Sequence, residues 1–287
     1  MNIRSDVGEG TNNRQKSLTA KITLSNASLD SVVGCLKHYG ICILPNYFGE
    51  KFCQHLLDSC VERAEVAQDT NFEDGSYRRF DCYKGTGAEP NKRVYHVDCF
   101  AAEGVKFKQD QFLRDVASKY YGSPHSVHVC LYERHQYSET PLRGFHIDTF
   151  EKSTFKAFLY LSNVTINDGP TGYILKTHRD HELRRKKETK GLAVISPGDP
   201  SQSALQTNFS KEELEEVIAN YVPVVAAAGT VVLFDTWGVH KGLPVTAGGD
   251  RHVAVNYYRE GSDLPRSDFG FDVEKDTKRF HGRKGLG

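Results

Sequence analysis

YVPVVAAAGTVVLFDT, at residues 221–236, is the stretch that decides the fold class. Valine, alanine, leucine and phenylalanine fill most of it. Valine and aromatic residues pack well on a pleated surface, and short apolar runs bounded by turn residues are typical of strands. The stretch therefore predicts β structure.

Four other stretches have the same texture, with glycine, asparagine, aspartate or proline between them. They are VHVCLYERHQY (127–137), STFKAFLYLSNV (153–164), GYILKTH (172–178) and HVAVNYYRE (252–260). Many short strands broken by such turn residues predict a sandwich or barrel of antiparallel strands. We expect this β core over about residues 125–260.

The part of the chain before this core predicts helices. Apolar residues recur at helical spacing over 28–45, with Gly40 as a C-cap before a short β run, and again over 48–66. Gln109–Tyr121 is a third helix candidate. The fold is therefore predicted to be mainly β with flanking helices, in a single domain over 21–287 whose helical front part covers about 28–121.

Three segments predict no regular core structure. Residues 1–20 are polar and predict a flexible leader, and the Gly-, Asp- and Arg-rich stretch 67–95 predicts a surface loop. Residues 179–220 are charged and then rich in proline and serine, which predicts a lid. Within this lid Ser210 and Glu213 have the spacing of a capping box and predict a short helix.

Composition narrows the class of protein. Hydrophobic residues at 38% and charged residues at 26% are globular values. The 37 Lys and Arg balance the 37 Asp and Glu, which argues against a nucleic-acid partner, and we interpret the basic run RRKK at 184–187 as a solvated face.

No apolar run approaches the roughly 20 residues of a membrane span. The N-terminus lacks the apolar region of a secretory signal, and the seven cysteines form no C-x-x-C pair, so we expect a cytoplasmic protein. The sequence leaves its oligomeric state open.

The motif GFHID at 144–148 carries the chemistry. Alternate residues of a strand share one face, so His146 and Asp148 can reach the same metal ion, and His240 at the end of another strand can complete the set. Two imidazoles and one carboxylate on one face of a metal leave positions open, as in non-haem iron oxygenases. Arg251, eleven residues after His240, offers a planar clamp for a carboxylate.

Other assignments of these roles remain open. His96 and Asp98 form a second H-x-D motif, and His178 could replace His240. Trp237 could pack in the core or contact a substrate.

These motifs together resemble the phytanoyl-CoA dioxygenase-like family of Fe(II)/2-oxoglutarate-dependent oxygenases, which includes the ectoine hydroxylases. The resemblance rests on GFHID, on DGPTGYILKTH at 168–178, on GTVVLFDTWGVHKG at 229–242, and on Arg251 followed by Tyr257 and Tyr258. It covers roughly residues 30–260. It implies a double-stranded β-helix, the cupin-like jelly roll.

The chain departs from the family pattern at three places. Leu175-Lys176-Thr177-His178 replaces the family's Pro-Gly-Ser-His, and Asp168 replaces an asparagine. Gly242 stands where the family often has a hydroxyl residue, two positions after the distal histidine, which removes one hydrogen bond to the distal carboxylate of 2-oxoglutarate.

The resemblance also implies an activity. It implies Fe(II) on His146, Asp148 and His240, 2-oxoglutarate paired with Arg251, O2 as oxidant, and hydroxylation of a polar small molecule with release of succinate and CO2. Desaturation, epimerisation or cyclisation are alternative outcomes at the same site. Asp148 argues against halogenation, because halogenases of this family carry a small residue there.

Contacts to the 1-carboxylate of the co-substrate are predicted for residues on flanking strands, with Tyr132, Arg134 and Lys156 as candidates. Two other classes of protein are also considered. A cupin-type metal enzyme would have no use for Arg251, and a silent binding module would have lost one of the metal ligands.

Overall fold

The protein is described by a computed structural model over residues 9–66, 70–80, 91–137, 144–148, 155–183 and 208–261. The helices are α1 (Glu9–Ile22), α2 (Leu29–Tyr39), α3 (Glu50–Ala64), α4 (Ala102–Lys108) and α5 (Gln111–Tyr121). The strands are β1 (Ile41–Leu44), β2 (Thr70–Asn71), β3 (Tyr77–Phe80), β4 (Asn91–Tyr95), β5 (His125–Gln136), β6 (Phe155–Tyr160), β7 (Thr171–Ile174), β8 (Tyr221–Pro223), β9 (Val231–Asp235), β10 (His240–Gly242) and β11 (Asp250–Glu260).

The strands form two sheets, and the named strands in each pair antiparallel. The large sheet has the order β1-β9-β6-β11-β5-β4-β3-β2, and the small sheet has the order β10-β7-β8. Side chains of the two sheets meet: Tyr173 of β7 packs edge-on against Phe234 of β9, and Tyr160 of β6 donates a hydrogen bond to the carbonyl of Val224. The fold is mainly β with flanking helices and is the cupin-like jelly roll that the sequence predicts.

The predicted strands and helices lie where the sequence places them. α2 begins after Ser28, whose hydroxyl accepts from the Ser31 amide, and ends at Gly40, which has the left-handed φ of 84°. The long apolar stretch 221–236 contains two strands, β8 and β9, because Gly229 turns the chain between them with φ 86°. A side chain at Gly229 would meet the carbonyl oxygen of Phe48 at 2.1 Å, so glycine is needed there.

Two predictions for the front of the chain are wrong. Residues 9–20 belong to helix α1 and are not a flexible leader, because Leu18 and the fully buried Ile22 pack on the core. Within the predicted loop 67–95, the described residues include β2, β3 and β4, which extend the large sheet. Tyr77 and Tyr95 stack there at 4.6 Å between ring centroids and bury this edge.

The predicted lid lies partly outside the described residues, which do not include 184–207 and therefore not the basic run 184–187. Ser210 and Glu213 do form the capping box: the Ser210 amide donates to Glu213 Oε2 and the Glu213 amide donates to Ser210 Oγ. The element that follows is a single 3-10 turn, Glu212–Leu214, rather than an α-helix.

A small second core fixes the segment that carries the H-x-D motif. It consists of Ile147, Ile174, Leu183, Phe209, Leu214 and Val239. The main core packs the helices on the large sheet and also includes buried residues of the small sheet, such as Tyr173 and Val222. The second core therefore holds residues 145–147 on the small sheet, beside β10. Among the described residues, no helix is both long and apolar enough to cross a bilayer.

Candidate metal centre

The main chain brings His146 and His240 together. The amide of each donates to the carbonyl of the other at 2.9 Å. The amide of Asp148 donates to the carbonyl of Thr236 at 3.2 Å. Residues 146–148 and 236–240 thus run side by side, and the alternation predicted for the H-x-D motif places both of its side chains next to His240.

Both imidazole rings are oriented by main-chain carbonyls. Nδ1 of His146 lies 2.8 Å from the Gly144 carbonyl, and Nδ1 of His240 lies 2.9 Å from the Gly238 carbonyl. A carbonyl only accepts, so Nδ1 carries the proton in each ring and Nε2 keeps its lone pair. The two Nε2 atoms lie 3.7 Å and 3.5 Å from Oδ1 of Asp148. Such orientation of the second ring nitrogen is typical of metal-ligating histidines.

Asp148 is ionised and faces a buried lysine. Its Oδ2 lies 2.6 Å from Lys156 Nζ, and both side chains are mostly buried. Burial raises the pKa of Asp148, but the charges of Lys156, His240 and His146 outweigh it and hold that pKa well below its usual range. Burial lowers the pKa of Lys156, and the Asp148 carboxylate more than reverses this. The carboxylate is therefore available as a ligand at neutral pH.

One atom from each of these three residues can reach a single metal ion. The possible ligand atoms of His146, Asp148 and His240 all lie within 4.8 Å of one another. Two imidazole nitrogens and one carboxylate oxygen suit a divalent transition metal such as iron. The donor set and its preset tautomers fit the ion that the sequence predicts.

The turn before His240 is held by a buried carboxylate. Asp235 accepts from the Trp237 amide at 2.9 Å and from the Tyr120 hydroxyl at 2.8 Å. Tyr173 donates to the main-chain carbonyl of Asp235, and its hydroxyl would lie 1.7 Å from a Cβ at Gly238. This close approach places the Gly238 carbonyl against His240.

Arg251 lies between the two sheets and is 3% exposed. Its Nη1 donates to the Gly169 carbonyl and, at 3.2 Å, to the hydroxyl of Thr171 on the small sheet. Within the described part of the chain, its buried Nε has no hydrogen-bond partner and no carboxylate lies within ion-pair distance of the guanidinium. A buried cation with an unsatisfied donor fits a ligand carboxylate.

Because side chains alternate along a strand, the other predicted co-substrate residues lie on two different faces of the large sheet. Lys156 lies on the inner face of the large sheet with Arg251, whereas Tyr132 and Arg134 lie on the opposite face. Tyr132 bonds to His252 Nδ1 at 2.6 Å, and Arg134 pairs with Asp250 and Glu65. The structure therefore does not bring Tyr132 and Arg134 to the metal centre, and we correct their prediction as co-substrate contacts.

The alternative metal ligands also lie elsewhere. Asp98 pairs with Lys108 at 2.8 Å. His178 Nε2 contacts the Lys37 carbonyl at 3.3 Å, and the ring lies against Gly40. Among the described residues neither His96, Asp98 nor His178 joins a group of three that could hold a metal. Trp237 is half-buried and belongs to neither core cluster.

Sequence reasoning missed a charged cluster on the inner face. Glu133 accepts from Arg93 Nε at 2.7 Å and lies 3.0 Å from His135 Nε2. His135 is paired across the strands with Arg251. Burial raises the pKa of Glu133, but the charge of Arg93 and the contact with His135 hold it well below its usual range. The sequence contained a sign of this cluster. Glu133 and His135 lie on the same face of β5 as the apolar residues Val129 and Leu131.

Comparisons with known proteins agree with this geometry. Residues 132–253 match the model of the family described as phytanoyl-CoA dioxygenase (PhyH). No curated protein sequence matches the chain.

Three solved structures share the fold. The epimerase SnoN, in complex with Fe3+, alpha ketoglutarate and nogalamycin RO, has a TM-score of 0.60 at 13% identity, over 85% of this chain and 92% of that chain. The carbocyclase SnoK from nogalamycin biosynthesis has a TM-score of 0.57 at 14% identity, over 88% and 91% of the two chains. HygX from Streptomyces hygroscopicus, with nickel, 2-oxoglutarate and hygromycin B bound, has a TM-score of 0.52 at 14% identity, over 79% and 86%.

The family match covers Asp148, His240 and Arg251, and the H-x-D motif and the jelly roll both agree with it. Residues 132–253, less than half of the chain, are thus similar to the phytanoyl-CoA dioxygenase (PhyH) family.

Proposed function

We propose that this protein is an Fe(II)/2-oxoglutarate-dependent dioxygenase that hydroxylates a polar small molecule. The observation that carries the proposal is the convergence of His146, Asp148 and His240 beside a buried arginine that lacks a carboxylate partner among the described residues. The two histidines and the aspartate would be the three protein ligands of the metal. Arg251 would supply the positive charge that binds a carboxylate of the co-substrate.

Each residue of the centre has a defined task. His146, Asp148 and His240 would hold Fe(II), and their preset tautomers mean that no proton has to leave the imidazoles first. When bound, the metal supplies oxidation of a substrate C–H bond by O2, coupled to conversion of 2-oxoglutarate to succinate and CO2. Arg251 binds the distal carboxylate and fixes the length of keto acid that fits.

Lys156 is the residue we assign to charge balance. Its ammonium compensates Asp148 at 2.6 Å and lies 4.5 Å from the centroid of the Tyr257 ring. A metal ion at the centre brings positive charge to the same carboxylate. The lysine is then free to turn towards an anionic group of the co-substrate, which keeps it as the candidate contact for the 1-carboxylate.

Hydroxylation is the proposed outcome, and the carboxylate at Asp148 supports it against halogenation. SnoN and SnoK are described as an epimerase and a carbocyclase, so the same fold also supports those outcomes. The polar inner face formed by Arg93, Glu133 and His135 supports a polar substrate. SnoN and HygX are described with nogalamycin RO and hygromycin B, which are small molecules.

We place the protein in a reducing compartment, the cytoplasm. Five of the described cysteines are buried free thiols, namely Cys35, Cys42, Cys53, Cys60 and Cys130. Free buried thiols are typical of proteins that fold under reducing conditions.

The decisive experiment is anaerobic addition of Fe(II) and 2-oxoglutarate to the metal-free protein, with detection of the visible charge-transfer band of the chelate. We expect the band in the wild type, no band in His146→Ala, and a requirement for far more keto acid in Arg251→Ala. Arg134→Ala is the matched control, because this arginine lies on the other face of the same sheet.

Absence of the band in folded, metal-loaded wild type would contradict the keto-acid assignment. It would favour a cupin-type metal enzyme if the metal still binds, and a binding module if it does not.

A further inference from the structure

Three tyrosines lead from the candidate metal centre towards the protein surface. Tyr173 stacks on the ring of His240, and Tyr120 and Tyr121 follow at the end of helix α5. We propose that these tyrosines form an electron path through which an external reductant quenches the oxidised metal centre when no substrate is bound. The inference rests on the proposed function, which supplies the oxidant, and gives the three residues a protective role beyond it.

The first link of the path is the contact between Tyr173 and His240. The two rings lie 6.5 Å apart between centroids and only 16° from parallel, and Tyr173 is fully buried. Phe234 also contacts the His240 ring, at 5.4 Å between centroids. A phenol loses an electron far more easily than a phenylalanine ring does. Of these two neighbours, Tyr173 is therefore the one that can donate an electron towards the metal.

The second link runs through Asp235, where two phenols meet. The Tyr173 hydroxyl donates to the main-chain carbonyl of Asp235 at 2.9 Å, and the Tyr120 hydroxyl donates to its Oδ2 at 2.8 Å. Burial raises the pKa of Tyr173 above its usual range, and Asp235, Tyr120 and Tyr121 add to this effect. The hydroxyls of Tyr173 and Tyr120 are thus close enough to bond to the same residue.

The position of the proton acceptor decides which tyrosine holds the radical. A phenol that loses an electron becomes a strong acid, so a lasting phenoxyl radical needs a base within hydrogen-bond reach. The peptide carbonyl beside Tyr173 is too weak a base, whereas the carboxylate beside Tyr120 can take the proton. One electron passes from the Tyr120 phenol through the Tyr173 ring to the metal centre, and the phenolic proton moves to Asp235.

The exit of the path is Tyr121. Its ring lies edge-on to that of Tyr120, at 4.8 Å between centroids, and both side chains are half-buried. A one-electron donor in solution, such as ascorbate, can therefore reduce the radical through Tyr121. The proton then returns from Asp235 to the Tyr120 oxygen. In sum the metal centre gains one electron, ascorbate loses one, and the protein is unchanged.

The path protects the metal ligands. A metal centre that activates O2 without a substrate oxidises the groups beside it unless an electron arrives first. Excluding such side reactions is part of what the protein supplies around a reactive cofactor. Residues 144–148 and 236–240 carry the ligands and are the segments at risk.

The test is electron paramagnetic resonance of samples frozen after the Fe(II)–2-oxoglutarate complex meets O2 without substrate. We expect a tyrosyl signal in the wild type that narrows when the tyrosines carry ring deuterium and decays faster with ascorbate. Tyr120→Phe should lose this signal, and peptide mass spectrometry should find more oxidation in 144–148 and 236–240. Tyr47→Phe is the matched control, since Tyr47 donates to the Asp110 carboxylate at 2.9 Å in the helical layer.

Tyr121→Phe tests the path without removing the hydrogen bond to Asp235. We expect the radical to form in this variant and ascorbate to quench it several-fold more slowly. Ni(II) affinity, measured for each variant, shows whether the centre is intact. If Tyr120→Phe binds no metal, Tyr121→Phe decides the question.

An unchanged signal in metal-binding Tyr120→Phe, or wild-type quenching in Tyr121→Phe, overturns the inference. A wild-type chelate that meets O2 and gives no tyrosyl signal also overturns it. A wild type without the anaerobic charge-transfer band overturns the proposed function itself, and that outcome is seen before O2 is added.

Discussion

At the scale of single residues, the candidate metal centre contains buried charges that compensate one another. Asp148 and Lys156 pair at 2.6 Å inside the barrel, and the imidazoles of His146 and His240 complete the surroundings of the carboxylate. The three candidate ligands could be predicted to lie together from the H-x-D motif and the distal histidine, because spacing on strands dictates which side chains share a face. The role of Lys156 as counter-ion could not, since it depends on which strand lies beside the motif.

Replacing Lys156 tests this balance. Lys156→Met leaves Asp148 as an uncompensated buried charge, which typically costs about 3–5 kcal/mol. We expect a loss of this order in the free energy of urea unfolding of the metal-free protein and a clearly smaller loss in the Ni(II)-loaded protein, where the metal compensates the carboxylate.

Lys119→Met is the control, since Lys119 pairs with Asp30 at the surface and such pairs are worth little. Equal losses for Lys156→Met with and without metal would contradict the charge-balance role.

Gly238 offers a second test at this scale. A Cβ there would fall 1.7 Å from the Tyr173 hydroxyl, so Gly238→Ala must displace the turn that orients His240. We expect Ni(II) affinity, measured by calorimetry, to fall by about tenfold or more, as is typical when a group that orients a ligand is disturbed. Gly34→Ala in α2, where a Cβ meets nothing within 4 Å, should leave the affinity unchanged. Wild-type affinity in Gly238→Ala would show that the turn does not orient the ligand.

At the scale of elements, β5 separates two sets of polar residues. Glu133 and His135 point into the barrel beside Arg251, and Tyr132 and Arg134 point to the opposite face. β5 itself could be predicted from its run of valine, leucine and tyrosine residues. β4 could not, because NKRVY has an arginine at an inward position, and this half-buried arginine pairs with Glu133 across the sheet. β10 is three residues long and carries no strand pattern at all.

The inward position of His135 predicts a dependence of stability on pH. Burial and the charge of Arg251 lower the pKa of His135 to about 4, against the opposing effect of Glu133. The unfolded chain binds the proton near pH 6.5, so the folded state loses stability as the pH falls from about 6.5 to about 4.

We expect the free energy of urea unfolding of the wild type to fall over this pH range by about 1–3 kcal/mol more than that of His135→Gln. Parallel curves for the two proteins would show that His135 is not held neutral in the fold.

At the scale of the whole molecule, the metal centre joins parts of the chain that the sequence keeps far apart. Residues 144–148 and β10 meet through two main-chain hydrogen bonds, through side-chain contacts of His240 and through the small second core. The jelly roll could be predicted from strand texture and the family resemblance. α1 could not, since its helix depends on Leu18 and Ile22 reaching a core that only the folded chain provides.

A metal ion bridging these segments should stabilise the folded chain. At a free concentration of 100 times Kd, binding adds about 2.7 kcal/mol, which raises Tm by several degrees. We expect this shift on adding Ni(II) to the wild type and its loss in Asp148→Ala, measured by differential scanning calorimetry. Replacing Asp98, the acidic residue of the second H-x-D motif, should leave the metal-induced shift in place.

The two imidazoles are aimed by carbonyls of Gly144 and Gly238, two residues before each ring. Peptide carbonyls are common to all sequences, so the orientation of both rings depends on the course of the main chain at Gly144 and Gly238 and not on the chemistry of neighbouring side chains. Side chains that line other parts of the barrel can then be substituted without changing the orientation of the two imidazoles. The arrangement therefore separates the orientation of the candidate metal ligands from the side chains that would contact a substrate.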